Sequence, residues 1–550
     1  MTNTLQSTKM WNFVRENFLF IAKYYSVFVA AVLILVLTIV HQHNKRLFFK
    51  NIGVNLEPTL PVIGAFYKIL TLGILEHDAY SIKQFGKIHG TYLGNVPTLV
   101  VSEPNMIKEI FVKQFCNFPN RMKALYISKW WENGIVIASG EHWHYLRSLI
   151  SPALSTSNLK QTEAMITKCL CSGNNYLLNL VDDNSSVDID IKNVFSALTM
   201  DIICATAFGV EMHSLEDINS DFTKHAKIVS TLNIESNPVN AIPLIIPPAR
   251  KVFELLDIDY VNKTSLDFIK NVVSAMIATR KQQSENKFKD TLQNLMNAHK
   301  GFNGEGQQEK KFIYEAKENS STERWDMRND EFKKFKSKGL SDDELIANSL
   351  IVLMAGYDTT ATTLTWMTYL LATNQHIQDK VREEIDQVLG QEEPTQDNVS
   401  KLKYTEMFLC ETLRLYPAAN RTGRDAAVDT DVLGCKIPKN LSITVPIFAM
   451  HRMPEYWDDP DSCIPERFSP ERKHKINPYV YMPFGVGPRS CVGMRMAKSL
   501  CKIIIAKLLQ DFTLNVNSLT ENPPVLEKSL LTKPQNGIYL KLTVRKRTWS

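Results

Sequence analysis

Residues 484–493 read FGVGPRSCVG. Glycines at 485, 487 and 493 let the backbone approach something flat and close. A helix-like run, GMRMAKSLCKIIIAKLL, starts just after Cys491. A cysteine at a helix N-terminus, with Arg489 nearby, is stabilised as the thiolate, the form that ligates metals. A Gly-rich turn around a buried structural cysteine is the plainer alternative. Ten consecutive positions of this composition favour a ligand loop.

Three further constellations carry or support chemistry. In residues 355–360, AGYDTT, Asp358 and Thr359 place an acid and a hydroxyl inside an apolar helical run. Polar groups there are costly without a use. Gly356 weakens the helix ladder and opens the backbone to water or a ligand. The rival reading is a Thr-rich helix whose hydroxyls bond back to their own carbonyls. Glu411 and Arg414 stand at i,i+3, and Trp143 and Arg147 at i,i+4, so each pair shares a helix face. Either pair alone also suits a surface ion pair or a surface cation–π contact.

Taken in order, these residues resemble the signatures of the cytochrome P450 haem-thiolate monooxygenases. FGVGPRSCVG is similar to the family's haem-binding loop, and AGYDTT to its oxygen-activation motif. Residues 411–414 (ETLR) resemble the ExxR motif and residues 143–147 (WHYLR) the WxxxR motif, with Pro465-Glu466-Arg467-Phe468 at the family's separation. The resemblance covers nearly the whole chain after residue 44. It points to the microsomal branch of drug- and steroid-oxidising enzymes and thromboxane synthase, through residues 413–417 (LRLYP), 449–452 (AMHR) and 481–489 (YMPFGVGPR). It implies haem b, with Cys491 as axial ligand of the iron and Phe484 in the cofactor loop. Trp143, Arg147 and Arg489 would meet the propionates, with Arg424 as a third cation and Arg121 as a candidate fourth. Glu411, Arg414 and Arg467 would form a buried network steadying the loop. Asp358 and Thr359 would be the catalytic pair that relays protons.

The elements that must hold these groups are partly visible. The resemblance implies a mainly α fold, a triangular helical domain with a minor β region, plus an N-terminal transmembrane helix. Ser341-Asp342-Asp343-Glu344 is a capping box, with Leu340 and Leu345 placed as a hydrophobic staple. From there to about Thr373 only Gly356 interrupts the helical pattern. Such a helix is about 50 Å long, enough to cross the centre of one large domain. Residues 90–102 read as short strands around a turn. Residues 301–340, crowded with Gly, Glu, Lys, Asn and Ser, cannot bury enough apolar surface to order themselves. They read as a disordered insertion in a catalytic domain spanning 63–550.

Composition bounds the rest. Of 550 residues, 44% are hydrophobic and 22% charged, the balance of a globular protein. Nine cysteines without a repeated CxxC argue against a zinc ribbon or a disulfide scaffold. A net charge of +5 with no basic stripe among aromatics argues against nucleic acid as a partner. Residues 24–44 hold no Lys, Arg, Asp or Glu, and Lys23 and Lys45-Arg46 bracket them. Residues 1–44 therefore read as an uncleaved membrane anchor and 45–62 as a stiff hinge, with Glu57 where the family is richer in Pro and Gly. Residues 237–250, NPVNAIPLIIPPAR, offer a second membrane contact.

The resemblance implies a single-pass protein of the endoplasmic reticulum membrane with a cytosolic catalytic domain in contact with the lipid bilayer. It would insert one oxygen atom from dioxygen into a lipophilic small-molecule substrate. Electrons would come from NADPH through an NADPH-cytochrome reductase, with cytochrome b5 as a second partner. Two rivals stand beside this reading. One is a haem-thiolate isomerase or dehydratase acting on a lipid peroxide. The other is a membrane-anchored haem-binding protein without turnover.

Overall fold

The structure is a computed structural model. It describes residues 29–545 apart from 30–31, 34–35, 123–128, 182–184, 219, 231–241, 247, 257, 259–260, 283–289 and 300–338. The insertion up to residue 338, the anchor up to residue 28 and part of the 237–250 stretch lie outside the described residues.

Five helices position the site: α1 (Gly140–Ala153), α2 (Ile191–Phe208), α3 (Asp342–Thr373), α4 (Lys403–Leu415) and α5 (Met494–Asp511). The capping box closes as the sequence predicts. The Ser341 hydroxyl accepts from Glu344 N–H at 3.2 Å, and the Glu344 carboxylate accepts from Ser341 N–H at 2.7 Å. Leu340 and Leu345 are both buried beneath it. α3 then runs 32 residues, buried on nearly every face beyond Tyr357. Its deepest part is pinned by Trp366, whose Nε1 donates to the Thr532 carbonyl at 2.7 Å and whose ring stacks on Tyr416 at 3.9 Å. A long helix buried all round belongs at the centre of a large core.

α2 is the principal partner of α3. It is also the one described helix long and apolar enough to cross a membrane, but 83% of that window is buried inside the protein. It is a core helix. At Gly356 the backbone of α3 lies against a side chain of α2: an added Cβ would stand 2.5 Å from Cδ1 of Ile203. The sequence suggested that Gly356 opens the helix to water or a ligand. It faces α2 instead, and its missing side chain lets the two helices close on each other.

Among the described residues, nine strands form three small sheets: β1 (Ile88–Leu93), β2 (Val96–Val101), β3 (Ser186–Asp190), β4 (Thr422–Asp425), β5 (Thr430–Val432), β6 (Cys435–Ile437), β7 (Ser442–Val445), β8 (Phe512–Val516) and β9 (Tyr539–Val544). The largest has the order β1-β2-β7-β4, with β2 and β7 parallel and the other pairs antiparallel. Register Arg424↔Ile443 fixes Arg424 in β4 against the core strand β7. β3-β9-β8 and β5-β6 complete the set. The segment read as a hinge is packed onto the body. Phe49 is fully buried, Lys45 lies over the Tyr92 ring at 4.5 Å, and the Glu57 carboxylate is fully buried.

Candidate active site

The cysteine loop is held by its own backbone. Gly485 N–H donates to Met482 O at 2.9 Å, and Cys491 N–H donates to Phe484 O at 2.9 Å. Gly485 and Gly487 have φ of 71° and 75°, which other residues adopt at a cost. The close approach expected from these glycines is to the chain itself. A Cβ on Gly487 would stand 2.0 Å from the Phe111 carbonyl oxygen, whereas one on Gly493 would meet nothing within 4 Å.

Cys491 keeps an accessible surface although protein groups crowd it. Burial raises its thiol pKa, while the Gly493 and Met494 N–H groups and the charges of Arg121 and Arg147 oppose that rise. The helix N-terminus acts as anticipated. The cation expected to help, Arg489, turns elsewhere: its Nη2 donates to Ala138 O at 2.6 Å. Arg147 on α1 reaches Ser490 O at 2.7 Å, and Arg121 reaches Arg489 O at 3.4 Å. Arg121 and Arg147 are the leading positive charges at the sulfur.

Arg121, Arg147, Arg424 and Arg489 converge in one region. The Arg489 guanidinium stands 4.4 Å from the Trp143 ring centroid, and that of Arg424 stands 4.5 Å from the Phe111 ring. Burial first, then Arg121 and Arg147, lower the Arg489 pKa to about 9. Burial, Arg121 and Arg489 lower that of Arg424 well below its usual value. Nε and Nη1 of Arg489 and Nε of Arg424 are buried with no hydrogen-bond partner. Buried cations that repel one another and keep unused N–H groups are costly alone. A ligand with two carboxylates would relieve both faults, so these residues fit haem propionates. His144, which the motif reading passed over, belongs to the same cluster. Burial, Arg489 and Arg147 lower its pKa to about 4, so it stays neutral.

The loop is steadied from α4. Arg414 makes a two-pronged bond to Glu411, at 2.8 and 2.7 Å, with both side chains fully buried. Its remaining donors reach the carbonyls of His451, Pro460 and Ser462 at 2.9, 2.6 and 3.0 Å. Arg467 approaches Glu411 at 3.4 Å, so the expected three-residue network is present. His451 extends it to the cysteine loop. Met482 N–H donates to its Nε2 at 3.1 Å, so the ring proton sits on Nδ1 and bonds Arg414 O at 3.1 Å. Burial pushes the His451 pKa down to about 3, which keeps that tautomer neutral.

On α3, Ala355 is exposed in the middle of the most buried helix and Thr359 is half-buried one turn on. They share one open face. The Thr359 hydroxyl donates to Ala355 O at 2.6 Å, and Thr360 is buried. The back-bonding that rivalled the functional reading is therefore present, and recurs at Thr363, Thr365 and Thr368. Asp358 points to another side. Its Oδ2 lies 2.6 Å from Nζ of Lys533.

The chain matches the family model for cytochrome P450 over residues 55–542. It belongs to the cytochrome P450 family. It is 33% identical to cytochrome P450 3A6 of Oryctolagus cuniculus, over 93% of this chain and 95% of that one. The same identity relates it to cytochrome P450 3A41 of Mus musculus, over 93% and 96%. It is 32% identical to lithocholate 6-beta-hydroxylase of Mesocricetus auratus, over 90% and 92%. The chain is thus an oxidoreductase, a cytochrome P450 monooxygenase, similar to microsomal drug-metabolising P450 enzymes.

Proposed function

We propose that this P450 hydroxylates a lipophilic, steroid-like or drug-like molecule, drawing electrons from NADPH through a reductase, with cytochrome b5 as a second donor. The gathering of Arg147 and Arg489 at Trp143 and of Arg424 at Phe111, with unused buried N–H groups on Arg424 and Arg489, carries the cofactor part of this reading. Cys491 would ligate haem b as the thiolate. Arg147, Arg424 and Arg489 would bind its propionates, Trp143 would pack under Arg489, and Phe484 would flank the loop. When bound, haem supplies the iron centre at which dioxygen is activated by two electrons.

Asp358 and Thr359 would manage the protons. Thr359 stands on the open face of α3 and already directs its O–H to Ala355 O. It can turn that donor to a ligand on the same face. An acid–hydroxyl pair of this kind suits oxygen reduction and has no task in a peroxide rearrangement, so the isomerase reading gains nothing. The substrate class leans on the steroid acid in one relative's name, with Met354, Ala355 and Leu531 as the apolar residues that would line its site.

Residues 1–44 would anchor the protein in the endoplasmic reticulum membrane, leaving one triangular helical domain, with its 301–340 insertion, in the cytosol. Val36, Leu37, Ile39 and Val40 support this. They are exposed apolar residues on a helix that becomes buried by Phe49. The test is spectral. The reduced carbonyl complex should show the red-shifted Soret band of a thiolate-ligated haem, and Cys491→Ser should abolish it. Reductase-dependent NADPH consumption that rises with a steroid substrate should accompany it. Retention of the band by Cys491→Ser would refute the ligand assignment.

A further inference from the structure

Asn348 is fully buried in the second turn of α3, and every hydrogen-bonding direction of its amide but one acceptor lobe is used. Its Oδ1 accepts from Ile135 N–H at 2.9 Å, and its Nδ2 donates to Asn133 O at 3.0 Å and to Glu344 O at 2.7 Å. The reverse orientation would set the amide oxygen against two carbonyls and its nitrogen against an N–H, so the network fixes which end is which. Two of the three bonds leave α3 and grip the end of the short helix Lys129–Asn133 and the residues after it. Beside them Gly134 lies on Ile351, where an added Cβ would stand 2.1 Å from Cδ1.

Residues 131–138 form a strap with turns of their own. Gly134 N–H donates to Trp131 O at 3.0 Å, and Ala138 N–H donates to Gly134 O at 2.9 Å. Asn348 holds the middle of the strap. Arg489 holds its far end, donating to Ala138 O at 2.6 Å. The strap thus runs from the central helix to the arginine cluster. Asn348, Ala355 and Thr359 fall within about 40° of one another around a helix of 3.6 residues per turn, so they lie on one face. Burial changes along that face. Asn348 and Ile351 are 0% and 8% exposed, whereas Ala355 is exposed and Thr359 half-buried. The strap covers the first part and stops where the open part begins, so its edge is a wall of the space over Ala355.

We propose that Asn348 is a specificity-determining positioning residue: it sets the height of the 131–138 strap beside the open face of α3, and so decides which part of a bulky lipophilic ligand reaches the haem. This rests on the reading of that face as the one where substrate meets haem, and adds the side chain that shapes the wall. A turn held only by its own short-range bonds has no fixed height above a helix. An amide that accepts from one strap N–H and donates to one strap carbonyl fixes both height and tilt. Its removal leaves that buried N–H and carbonyl unpaired, and the strap shifts to regain partners. A small ligand that stops short of the wall does not feel the shift. A large one is displaced, and displacements of about 1 Å are enough to misdirect a reaction.

The experiment uses the full-length, haem-loaded enzyme with its reductase. Asn348→Ala, Asn348→Gln and Ser349→Ala are compared with wild type. Imidazole and N-tritylimidazole, which carry the same donor ring with and without three phenyl groups, are titrated by the shift of the Soret band. Lithocholate serves as the steroid probe for product positions and product per NADPH, and thermal unfolding is followed separately. Asn348→Ala should weaken N-tritylimidazole about tenfold, the scale of a lost pocket contact, and leave imidazole within about twofold of wild type. Lithocholate should be hydroxylated at additional carbons, with less product per NADPH. Asn348→Gln keeps the donors and the acceptor on a longer arm. It should hold the unfolding midpoint yet change the ratio of the two affinities, which a merely structural role does not do. Ser349→Ala, beside it on α3 with a buried hydroxyl that has no hydrogen-bond partner, should change neither ratio nor products. Equal weakening of both ligands, or a lower midpoint with an unchanged ratio and unchanged products, makes Asn348 a staple of the fold and overturns the proposal. If neither ligand binds wild type through nitrogen at iron, the haem reading fails and the proposal falls with it. If both bind but lithocholate stays unreacted, the steroid assignment alone fails, and the affinity ratio still decides the role of Asn348.

Discussion

Thr359 and Thr360 are adjacent hydroxyls with different surroundings. On a helix of 3.6 residues per turn they point about 100° apart. Thr359 shares the open face with Ala355 and donates to its carbonyl, whereas Thr360 is buried. Thr359→Ala should keep haem and substrate binding but divert electrons to peroxide. General acid–base contributions of about 10²–10⁴-fold make a clear fall in product per NADPH the expected result. Thr359→Ser, which keeps the hydroxyl, should restore most of the coupling. Thr360→Ala removes a buried hydroxyl away from the open face and should act mainly on stability. Quantifying product, NADPH and peroxide together checks all three, and full coupling in Thr359→Ala would refute the assignment. The back-bond to Ala355 does not weaken this argument. It shows where the hydroxyl rests before a better acceptor arrives.

At the scale of elements, the crossing of α2 over α3 decides where the motif can sit. Gly356 provides the close contact, and Ile203 fills the space a side chain would need. Gly356→Ala should gain about 1 kcal/mol of helix propensity. Overpacking against Ile203 costs about 1–3 kcal/mol, so a net loss is expected. Ile203→Ala leaves a cavity at the same contact, and the double variant should cost less than the sum of the singles. Denaturant unfolding of the four proteins tests this, and strict additivity would show that the helices can separate freely. These elements also show what the sequence makes legible. The α3 start, its length, the β1–β2 hairpin and each motif are contiguous stretches whose spacing is the signal. The ion pair to Lys533 joins distant segments with no shared pattern, so no spacing announces it. The same is true of His451, which links Arg414 to Met482 across two loops, and of His144, hidden inside a motif whose flanking Trp143 and Arg147 drew the reading. The difference between the expected and observed surroundings of Gly356, and of the Arg489 guanidinium that turns to Ala138, has one cause. A residue type permits several contacts, and only packing selects among them.

At the scale of the whole molecule, the segment between the proposed anchor and the body is fastened rather than free, and Glu57 is its rivet. The backbone of Glu57 donates to Gly90 O at 2.8 Å on β1. Its fully buried carboxylate accepts from Lys68 at 2.9 Å and Thr91 at 2.8 Å, and lies 3.0 Å from His77 Nε2. Beside it, Asp78 pairs with Arg421 in the stretch after α4, tying this corner to the site's support. Burial alone would raise the Glu57 pKa, but the bonds and charge from His77, then Lys68 and Thr91, hold it at about 2. The sign of the pH effect follows. A carboxyl group depressed on folding stabilises the native state above its unfolded pKa, and loses that contribution as pH falls through its folded value. The window therefore runs from about 4.5 down to about 2. A depression of this size is on the order of 3 kcal/mol at neutral pH. Glu57→Gln should be less stable than wild type by about that amount at pH 7, because a buried charge cluster loses its anion. The difference should be nearly unchanged at pH 6 and shrink steadily below about 4.5. Unfolding of both proteins by denaturant at pH 7, 6, 4 and 3 measures it. A gap that stays constant to pH 3 would mean that the glutamate acts by shape and not by charge. A lost rivet has a second consequence that solution stability does not register. If residues 1–44 anchor the protein as proposed, the body would tilt more freely on that anchor, and Glu57→Gln should show wider orientational disorder in aligned bilayers than wild type, with its haem spectrum unchanged.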